Sequence, residues 1–417
     1  MIHTENYDTI VIGGGASGMM AAGRAAELGR RVLLIEKNPI LGQKLRITGG
    51  GRCNITNAES DIHKLLERYG VAGKFLYSAF AQFGVRDTYA FFEKLGLPLV
   101  KQAHQRVFPQ TERAADVARV LERYLATGKV TILTNTPATR VAHDGRQITH
   151  VMAGDKIYTA KSYILATGGL SHPETGSTGD GFDWLRELGH SVATPTPTVV
   201  PLATSEQWSH VLSGVALPTA KITFYVDGVK KLVKKGPILF THFGLSGPTI
   251  LNAAGTVGDL LHTGIVTAKI DACPELDHKA LDEKILAIFD ANKNKMIKNV
   301  LSEIVPGSLV RAVWGLLPMI DPDTKVNGLP REQRKKLVDT IKALPVTISG
   351  LLGFDKAVVV DGGVQLTEID TRTMRSKIVP NLFVTGDLLH INRPSGGYSL
   401  QLCWTTGYVA GTHAISE

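Results

Sequence analysis

Three glycines near the start of the sequence have the types and spacing of a nucleotide-binding turn. Gly13, Gly15 and Gly18 follow the pattern G-x-G-x-x-G within the segment GGGASG. In such a turn the first glycine allows a tight bend, the second lets the backbone approach a pyrophosphate, and the third allows a helix to pack closely. A helix N-terminus at this position would direct amide groups and a positive dipole at the phosphates. We therefore predict a pyrophosphate site here, which includes Ala16 and Ser17.

The flanking sequence predicts the elements that would position this turn. Residues 7–12 form a short apolar run rich in β-branched residues, which is typical of a buried strand. A helical run follows and closes at Gly29, and a second predicted strand, RVLLIE, ends at Glu36. Glu36 has about the 20-residue offset at which a carboxylate binds a ribose hydroxyl. An acid at this place disfavours the 2′-phosphate of NADP, so the site predicts FAD or NAD.

A second glycine cluster favours FAD over NAD. The segment GGGRCN covers residues 49–54, where a simple NAD dehydrogenase would continue with another helix. Three consecutive glycines before a cation indicate backbone folded against a flat or anionic ligand. The residues predicted to contact the cofactor here are Gly50, Gly51, Arg52, Cys53 and Asn54.

Two later strands are predicted to return the chain to the same ligand. Residues 161–171 predict a strand, and a polar, glycine-rich loop that contains Gly179 follows it. The first of these strands ends in Ala166, Thr167, Gly168 and Gly169. Residues 381–389 predict another buried strand, which ends in Gly386 and Asp387.

A helical pattern at the C-terminal end of the chain begins after Gly396 and Gly397. A helix entered through two glycines forms a second site with a positive dipole. Gly407 and Gly411 lie four residues apart in this pattern, and we expect them to permit close packing on the sheet.

Together these motifs resemble the BaiN/YhiN-like bacterial flavoproteins, a family with aminoacetone-oxidase-like members. The resemblance covers essentially the whole chain and is carried by GGGASG, GQKLRITGGGRCNITN, ATGGLSHPETGSTGDG, LFTHFGLSGP, EIDTRTMRSK, LFVTGDLL and GGYSLQ. It implies an α/β fold in which a Rossmann-like FAD-binding domain of the two-dinucleotide-binding-motif class is assembled from separate segments. It also implies a β-barrel insert, a helical insert and non-covalent FAD.

The resemblance further implies where the parts of FAD lie. It places the glycine turn with Glu36 and Lys37 at the ADP half, and residues 50–54 near the flavin half. It places Gly386 and Asp387 at the ribityl chain, and Gly396, Gly397 and Tyr398 at the flavin ring. The predicted cofactor-binding set is completed by Lys44, Arg106, Ala138 and Ser399. Related sequences often carry a small or acidic pair where this chain has NRPS at 392–395, which leaves the substrate open.

Three residues are candidates for catalysis. His242, within THFGLSG, could act as an acid or base, or it could be satisfied within a turn. Arg52 could bind an anionic substrate or the flavin, or form a plain salt bridge. Tyr398 could cover the ring or only cap the helix. Cys53 could anchor the flavin or act as a redox thiol, but packing beside the cofactor is the more ordinary role.

The middle of the sequence changes character twice. Short apolar runs separated by turn residues predict a β-barrel, and helical patterns follow. We therefore predict a FAD-binding domain at 1–191 and 355–417, a β-barrel domain at 192–273 and 345–354, and a helical domain at 274–344.

Composition limits the partners and the compartment. Three scattered cysteines without metal-type spacing, no room for a signal peptide and no apolar run of about 18 residues predict a cytoplasmic protein without metal or membrane. The net charge is +8, but no aromatic residue interleaves the lysine runs, so we expect a small-molecule substrate and no nucleic acid. The oligomeric state stays open.

Three functions remain open. The first is oxidation of a small amine or related donor, with electrons passed from flavin to oxygen. The second is reduction of an unsaturated or quinone-like acceptor by NAD(P)H, which would dock directly at the flavin because we find no second nicotinamide-binding unit. The third is flavin-dependent RNA modification, which the basic composition allows. Disulfide reduction is disfavoured because the sequence has no CxxC pair.

Overall fold

The structure of the chain is a computed structural model that describes residues 4–414. Its strands are β1 (Thr4–Ile12), β2 (Val32–Ile35), β3 (Thr56–Asn57), β4 (Leu99–Lys101), β5 (Arg106–Pro109), β6 (Thr131–Leu133), β7 (Ala138–His143), β8 (Ile148–Ala153), β9 (Lys156–Leu165), β10 (Val192–Val199), β11 (Leu202–Thr204), β12 (Ala216–Val226), β13 (Val229–Thr241), β14 (Gly244–Ser246), β15 (Val266–Asp271), β16 (Leu344–Leu351), β17 (Val359–Val364) and β18 (Leu382–Val384). Its α-helices are α1 (Ala16–Glu27), α2 (Gln43–Ile47), α3 (Ile62–Glu67), α4 (Gly73–Gln82), α5 (Val85–Lys94), α6 (Ala114–Thr127), α7 (Asp180–Glu187), α8 (Gln207–Val211), α9 (Pro248–Leu251), α10 (Ala254–Leu261), α11 (His278–Ala291), α12 (Val310–Leu316), α13 (Arg331–Lys342) and α14 (Tyr398–His413).

The described residues divide into two compact units. The first comprises 4–197 and 357–414, and the second comprises 198–356. The second unit contains both the barrel and helices α11–α13. The further division of that unit into a barrel domain and a helical domain stays a prediction.

A seven-stranded sheet forms the core of the first unit. The strand order is β6-β2-β1-β9-β8-β7, and β18 also pairs with β9. The pairs β1–β2, β1–β9, β2–β6 and β9–β18 are parallel, whereas β7–β8 and β8–β9 are antiparallel. All four residues of β2 are buried, which is typical of a parallel strand covered on both faces. The predicted Rossmann-like α/β fold is confirmed.

Helices α1 and α14, far apart in the sequence, pack closely against each other. A Cβ atom on Gly407 would overlap the carbonyl oxygen of Ser17, and one on Gly411 would overlap that of Ala21. The sequence-based expectation that these two glycines pack on the sheet is therefore wrong. They pack on helix α1. The two helices lie so close at these two positions that a side chain there would not fit.

A closed barrel lies in the second unit, with the strand order β11-β14-β13-β12-β15-β16. Antiparallel pairing of β16 with β11 closes it. Along β12 the inward-facing residues Ile222, Phe224 and Val226 are buried, whereas Lys221 is exposed and Tyr225 is partly exposed, as the two-residue period of a strand predicts.

Three short helices interrupt the barrel region, where the sequence predicted only strands. The helices α8, α9 and α10 lie between barrel strands in the chain. Gly247 has a φ of 91° and Pro248 occupies the first helical position of α9, so this helix has a proline start signal. Many of the residues that follow α9 are small, and a run of small apolar residues does not show a clear helical period in a sequence.

The predicted helical segment contains shorter helices than its pattern suggests. NVLSEIV, residues 299–305 of the predicted helical domain, contains only the 3₁₀ turn Leu301–Glu303, and the 3₁₀ turn Ile297–Asn299 ends at its first residue. Pro306 follows these turns closely and disfavours helical conformation in the residue before it. Residues 359–364, assigned to the predicted FAD-binding domain, form β17, which pairs with β10 in a two-stranded sheet separate from the large one.

Candidate functional site

The turn after β1 is crowded at its first and third glycines. Gly13 has a φ of +106°, and a Cβ there would overlap the carbonyl oxygen of Ala166 at the end of β9. A Cβ on Gly18 would overlap the carbonyl oxygen of Gly13. The strand ends are close because the Ala166 amide donates to Ile12 O at 2.9 Å. Both glycines are therefore required by the protein backbone itself.

The second glycine of this turn is open. A Cβ on Gly15 would have no protein atom within 4 Å, and its φ of −79° is accessible to any residue. Gly15 is the N-cap of α1, and no side chain caps this helix. The helix therefore directs an uncapped N-terminus, with Ala16 and Ser17 in its first turn, towards open space, as a phosphate site requires.

Glu36 lies directly beside this turn and is 8% exposed. Its Oε2 accepts a hydrogen bond from the Gly14 amide at 2.6 Å, and its Oε1 accepts one from the Asn38 amide at 2.8 Å. Each carboxylate oxygen can accept a second hydrogen bond, so the predicted contact with a ribose hydroxyl is compatible with these two. The Thr136 amide donates to Glu36 O at 3.0 Å, which brings the segment that leads to Ala138 to the same place.

Two lysines predicted to contact the cofactor bind side chains of the loop after β9. The Lys37 ammonium donates to Thr178 Oγ1 at 2.5 Å and lies 2.7 Å from Asp180 Oδ2. The Lys44 ammonium donates to Ser177 Oγ at 2.6 Å and to Ser171 Oγ at 3.1 Å. Burial lowers the pKa of Lys44, against the attraction of Asp387. Their contacts with a cofactor stay predictions.

The triple-glycine segment has left-handed backbone at each glycine. Gly49, Gly50 and Gly51 have φ values of 58°, 67° and 83°. A Cβ on Gly50 or Gly51 would meet no protein atom within 4 Å, so their backbone faces open space. The side chain of Asn54, in contrast, faces the protein and accepts a hydrogen bond from the Val107 amide at 3.2 Å.

Arg52 and Cys53 follow these glycines and face different surroundings. The guanidinium of Arg52 lies 4.5 Å from the centre of the Phe108 ring and 3.4 Å from a carboxylate oxygen of Glu112, with 43% of its side chain exposed. Cys53 has a φ of 61° and is fully buried, and burial raises the pKa of its thiol to about 12. The structure thus shows the salt bridge that was the alternative for Arg52, and Cys53 packs in the core.

Arg106 begins β5 and is half-buried. It lies opposite Asn57 of β3 in the strand register. The Asn57 amide group donates to Gly396 O at 3.1 Å, so the small sheet that carries Arg106 contacts the entrance of α14.

The end of β9 has a buried hydroxyl group without a partner. Within residues 4–414, Thr167 Oγ1 is one of the few buried polar atoms that form no hydrogen bond. Gly168 follows with a φ of +75°, and Gly179, with a φ of +92°, is the N-cap of α7. A buried hydroxyl normally finds a hydrogen bond, so this atom is available to a ligand at the strand ends.

Sequence analysis did not identify Arg393 as a site residue. Its side chain is 1% exposed and forms an ion pair with Asp387. It also donates to Ser399 Oγ at 3.0 Å and to Ile391 O at 2.8 Å. It thus joins the end of β18 to the first turn of α14. The available signal was a single cation in a short loop between two glycine turns, and in the sequence it stood out only as a departure from related chains.

The start of α14 lies tightly against β3. Gly397 has a φ of +101°, and a Cβ there would overlap the backbone of Thr56. Tyr398 packs edge-on against Tyr69 with ring centres 5.9 Å apart, and the Tyr69 hydroxyl donates to Tyr398 O at 2.8 Å. Burial raises the pKa of Tyr398, so its phenol keeps its proton at neutral pH.

His242 lies in the second unit, whereas the other predicted site residues lie in the first. It is exposed in the turn between β13 and β14, and its ring packs edge-on against Phe243 with centres 4.8 Å apart. Its predicted catalytic role stays a prediction.

Short contacts join the glycine turns that follow strands β1, β9 and β18 of the first unit. A Cβ on Gly386 would lie 3.0 Å from Ser17 Oγ in the first turn of α1 and 3.6 Å from Cys403 Sγ on α14. A Cβ on Gly169 would lie 3.4 Å from Asp387. The three segments, distant in sequence, therefore converge at one edge of the sheet, where α/β folds bind their ligands.

The residues at this edge fit FAD. The uncapped start of α1 at Gly15 suits a pyrophosphate, and Glu36 keeps acceptor capacity for a ribose. The Thr167 hydroxyl without a partner follows β9, and Gly386, close to Ser17 of α1 and Cys403 of α14, follows the neighbouring strand β18. The predicted contacts of Gly397 and Tyr398 with the flavin ring stay predictions.

Metal and membrane features are absent from the described part of the chain. Among residues 4–414, no cluster of three or more His, Cys, Asp or Glu side chains could hold a metal ion. No helix in the same range combines the length and the apolar character needed to cross a membrane.

Comparison with known proteins gives one family and several distant relatives. The family model described as the HI0933-like protein Rossmann domain matches residues 7–413. The 3-dehydro-bile acid delta(4,6)-reductase of Clostridium scindens is 29% identical over 410 residues, which are 98% of each chain. The ribosomal RNA dihydrouridine synthase of Escherichia coli K12 is 29% identical over 415 residues, which are 99% of each chain.

The fold is similar to that of a solved steroid enzyme. The 3-ketosteroid-delta4-(5alpha)-dehydrogenase of Rhodococcus jostii RHA1 superposes with a TM-score of 0.56 at 14% identity, over 99% of this chain and 97% of that one. At this identity the similarity concerns the fold alone.

Proposed function

The chain belongs to the HI0933-like Rossmann family of FAD-dependent oxidoreductases, and from this premise we propose that it reduces a carbon–carbon double bond conjugated to a carbonyl group. Two full-length relatives have names that describe reductive chemistry, one acting on a 3-dehydro bile acid and one producing dihydrouridine. Dihydrouridine is uridine with the ring double bond beside a carbonyl saturated. Both reactions add a hydride and a proton across such a bond, and this shared step is what we propose for this chain.

FAD, when bound, supplies the hydride for this reaction, and the protein has to supply the proton and orient the acceptor. NAD(P)H is the proposed source of electrons, docking directly at the flavin because the sequence has no second nicotinamide-binding unit. The electron source and the substrate are both parts of the proposal.

The observation that carries the proposal is a protonated thiol on α14, that of Cys403. Burial and, to a smaller extent, the nearby Asp387 charge raise the pKa of the Cys403 thiol to about 12, against the effects of Arg393 and Lys44. A thiol with this pKa is protonated at neutral pH, and Cys403 as a residue is partly exposed. A reduction needs such a proton donor, whereas oxidation of an amine needs a base to deprotonate the substrate. We assign the proton donor to Cys403.

The Asp387–Arg393 pair would position this donor. Arg393 binds the ends of β18 and α14 through Asp387, Ser399 and Ile391, and Cys403 lies one turn further along α14. Lys44 holds the loop after β9 against the same edge through Ser171 and Ser177. These contacts fix the strand ends on which the acceptor would lie.

Anaerobic rapid mixing tests the proposal. The oxidised holoprotein is mixed with NADH, NADPH or aminoacetone while the flavin absorbance is followed. The reduced protein is then mixed with a 3-oxo-4,6-diene steroid or with uridine-containing RNA. We expect a nicotinamide to bleach the flavin and one of the two acceptors to restore its colour. Bleaching by the amine alone, with peroxide formed in air, would instead support the small-amine oxidase expected from the family resemblance.

Two cysteine variants test the proton donor. Cys403→Ala should slow reoxidation of the flavin by the acceptor by about 100-fold, the lower range for loss of a general acid, and leave reduction by nicotinamide unchanged. Cys273→Ala is the control, because Cys273 lies in the second unit and burial also raises the pKa of its thiol. Equal reoxidation rates in both variants would refute the assignment of Cys403.

A further inference from the structure

The outer face of the barrel is basic around β12. In the antiparallel register, Lys221 lies opposite Lys235 of β13 and Asp271 of β15. Two residues along, Thr223 lies opposite Val233 and Lys269. Directly opposite residues point to the same side of a sheet, so all these side chains share the outer face.

The next row of the same face adds another lysine and an aromatic ring. Tyr225 lies opposite Lys230 of β13 and Thr267 of β15. A register shift after Phe224 leaves Lys231 as an extra, exposed residue of β13 beside Lys230. The basic barrel face, as we call it, is formed by Lys221, Lys230, Lys231, Lys235 and Lys269 around Tyr225.

Acidic groups do not cancel this charge. Asp271 shares the face, but its carboxylate lies 2.7 Å from the Lys342 ammonium, and this pair is largely buried. Glu275 lies 3.0 Å from the Lys235 ammonium, and both side chains are more than half exposed. A pair this exposed is weak and exchanges readily for another anion. The face therefore keeps an excess of positive charge.

Tyr225 changes the significance of the lysines. The expectation that no nucleic acid binds depended on the lack of aromatic residues among the lysines in the sequence. The fold places Tyr225 directly across from Lys230, and the Lys269 ammonium lies 5.5 Å from the centre of the Tyr225 ring. The aromatic residue comes from a neighbouring strand, so the lysine run alone could not reveal it. An aromatic ring among lysines is the composition of a surface that binds single-stranded nucleic acid.

Protection of a sheet edge does not explain this face. One alternative is that the lysines on β13 do no more than prevent edge-to-edge association, because natural proteins place lysines on edge strands for that purpose. Lys221 and Lys269, however, lie on β12 and β15, and each of these strands is paired on both sides. Paired strands have no free edge to protect.

We propose that the basic barrel face binds the phosphate backbone of RNA, with Tyr225 contacting a base. This inference rests on the proposed function and deepens it, since it selects an RNA uracil over a small carbonyl compound as the substrate class. Complementary charge is the reason: lysines that neutralise phosphates release counterions from the nucleic acid, and this release drives binding.

The test measures binding by the FAD-loaded full-length protein. The probe is a fluorescein-labelled transcript of a ribosomal RNA hairpin, and anisotropy is followed as KCl is raised. The face variant carries Lys221→Glu, Lys230→Glu and Lys269→Glu. The control variant carries Lys279→Glu, Lys293→Glu and Lys335→Glu, because these exposed lysines of the same unit lie outside the face. Both variants change the net charge equally, and thermal unfolding and flavin content verify their fold.

We expect the native protein to bind the transcript, with affinity that falls as salt rises. The face variant should bind at least about tenfold more weakly and show a shallower salt dependence, by about 0.7 per lost phosphate contact on single strands. The control variant should bind within about twofold of the native protein, because the same charge change lies off the face. Tyr225→Ala should weaken binding further than Tyr225→Phe, which keeps the ring.

Three results would overturn the proposal. They are equal binding by the face and control variants, no binding by the native protein at low salt, and binding to phosphatidylglycerol vesicles but not to RNA. Reduction of the 3-oxo-4,6-diene steroid is measured in the same variants. Because binding needs no turnover, failure of both this steroid and uridine-containing RNA to reoxidise the reduced flavin would refute the proposed function while leaving the binding result readable.

Discussion

Gly15 and Gly18 lie three residues apart in one turn, and each is a glycine for a different reason. Gly18 has to be small because the Gly13 carbonyl occupies the space of its Cβ. Gly15 has no protein atom near its Cβ position and has an ordinary φ, so the protein alone does not require glycine there. The requirement for glycine at position 15 therefore has to come from a ligand.

Alanine substitutions should separate these two causes. Gly15→Ala should abolish FAD binding and leave the unfolding free energy of the FAD-free protein within about 1 kcal/mol, the cost of an altered N-cap. Gly18→Ala should destabilise the FAD-free protein by about 3 kcal/mol or more, as overpacking against backbone does. Flavin absorbance and urea unfolding are the two measurements. A stable and fully yellow Gly15→Ala protein would remove the pyrophosphate from this turn.

Glu368 predicts a dependence of stability on pH. Burial raises the pKa of this carboxyl, but hydrogen bonds from Ser191 and His190 outweigh it and leave the pKa below its usual range. The His190 ring lies between Glu368 Oε2 and Ser376 Oγ, at 2.9 Å from each. A carboxyl whose pKa is lower in the folded state stabilises the protein above its unfolded pKa, and this stabilisation is lost as pH falls through the folded pKa.

We expect the native protein to lose unfolding free energy more steeply than Glu368→Gln as pH falls from about 5 to about 3. The amide keeps the size of the side chain and an acceptor oxygen but does not titrate, so it removes the linkage alone. Urea unfolding at successive pH values measures the difference. Parallel curves for the two proteins would show that this carboxyl does not titrate differently in the folded state.

At the scale of elements, the contact between α1 and α14 depends on two glycines of α14. The sequence shows glycines four residues apart, but it does not show which surface they approach. In the structure they let α14 approach the backbone of α1, whose N-terminus forms the proposed phosphate site. The packing of α14 on α1 therefore stabilises the helix that carries the proposed site.

Gly411→Ala should reveal this crossing. The added methyl group would overlap the Ala21 carbonyl, so we expect a loss of about 2–3 kcal/mol in unfolding free energy and weaker FAD binding. Gly315→Ala in α12 is the matched control, because a Cβ there meets no atom within 4 Å. That change should be neutral or should stabilise by up to about 1 kcal/mol through helix propensity. An equal effect of both changes would show that the helices do not depend on close approach.

The sequence predicted the elements whose signals are local. The β1-α1-β2 unit, the strands that end near Ala166 and Gly386, and the barrel strands each carry a continuous apolar pattern and turn residues. The ion pair of Arg393 with Asp387 and the contacts of Lys37 and Lys44 with the loop after β9 were not predicted. These contacts join segments that are far apart in the sequence. Only the fold brings them together, and the pattern within one segment does not show which other segment lies beside it.

At the scale of the whole molecule, the second unit is a single insertion into the first. The chain enters at 197/198 and returns at 356/357. Within the second unit the Leu352 amide donates to Pro201 O at 3.1 Å, so the two ends of the insertion lie side by side. Within the first unit, Gly362 of β17 lies directly against Pro195 of β10. Insertions with adjacent ends are those that a fold tolerates most easily.

Removal of the insertion should leave a flavin-binding protein. We expect residues 1–197 joined to 357–417 by a short Gly-Ser linker to fold and to bind FAD, because the proposed contacts of FAD lie in the first unit. The same protein should not bind the RNA probe, since the basic barrel face is removed with the insertion. Flavin absorbance and anisotropy measure the two properties. A folded but colourless product would show that the cofactor needs the second unit.

The crossing of α1 and α14 also has a consequence for biosynthesis. Residues 16–27 are translated well before their partner helix, 398–413, so the chain between them has to be synthesised before the two can pack. The helix of the proposed phosphate site therefore lacks this support until residue 413 has been translated, and cofactor loading is expected to follow that point. A stop codon placed just before residue 398 would leave a product without this support.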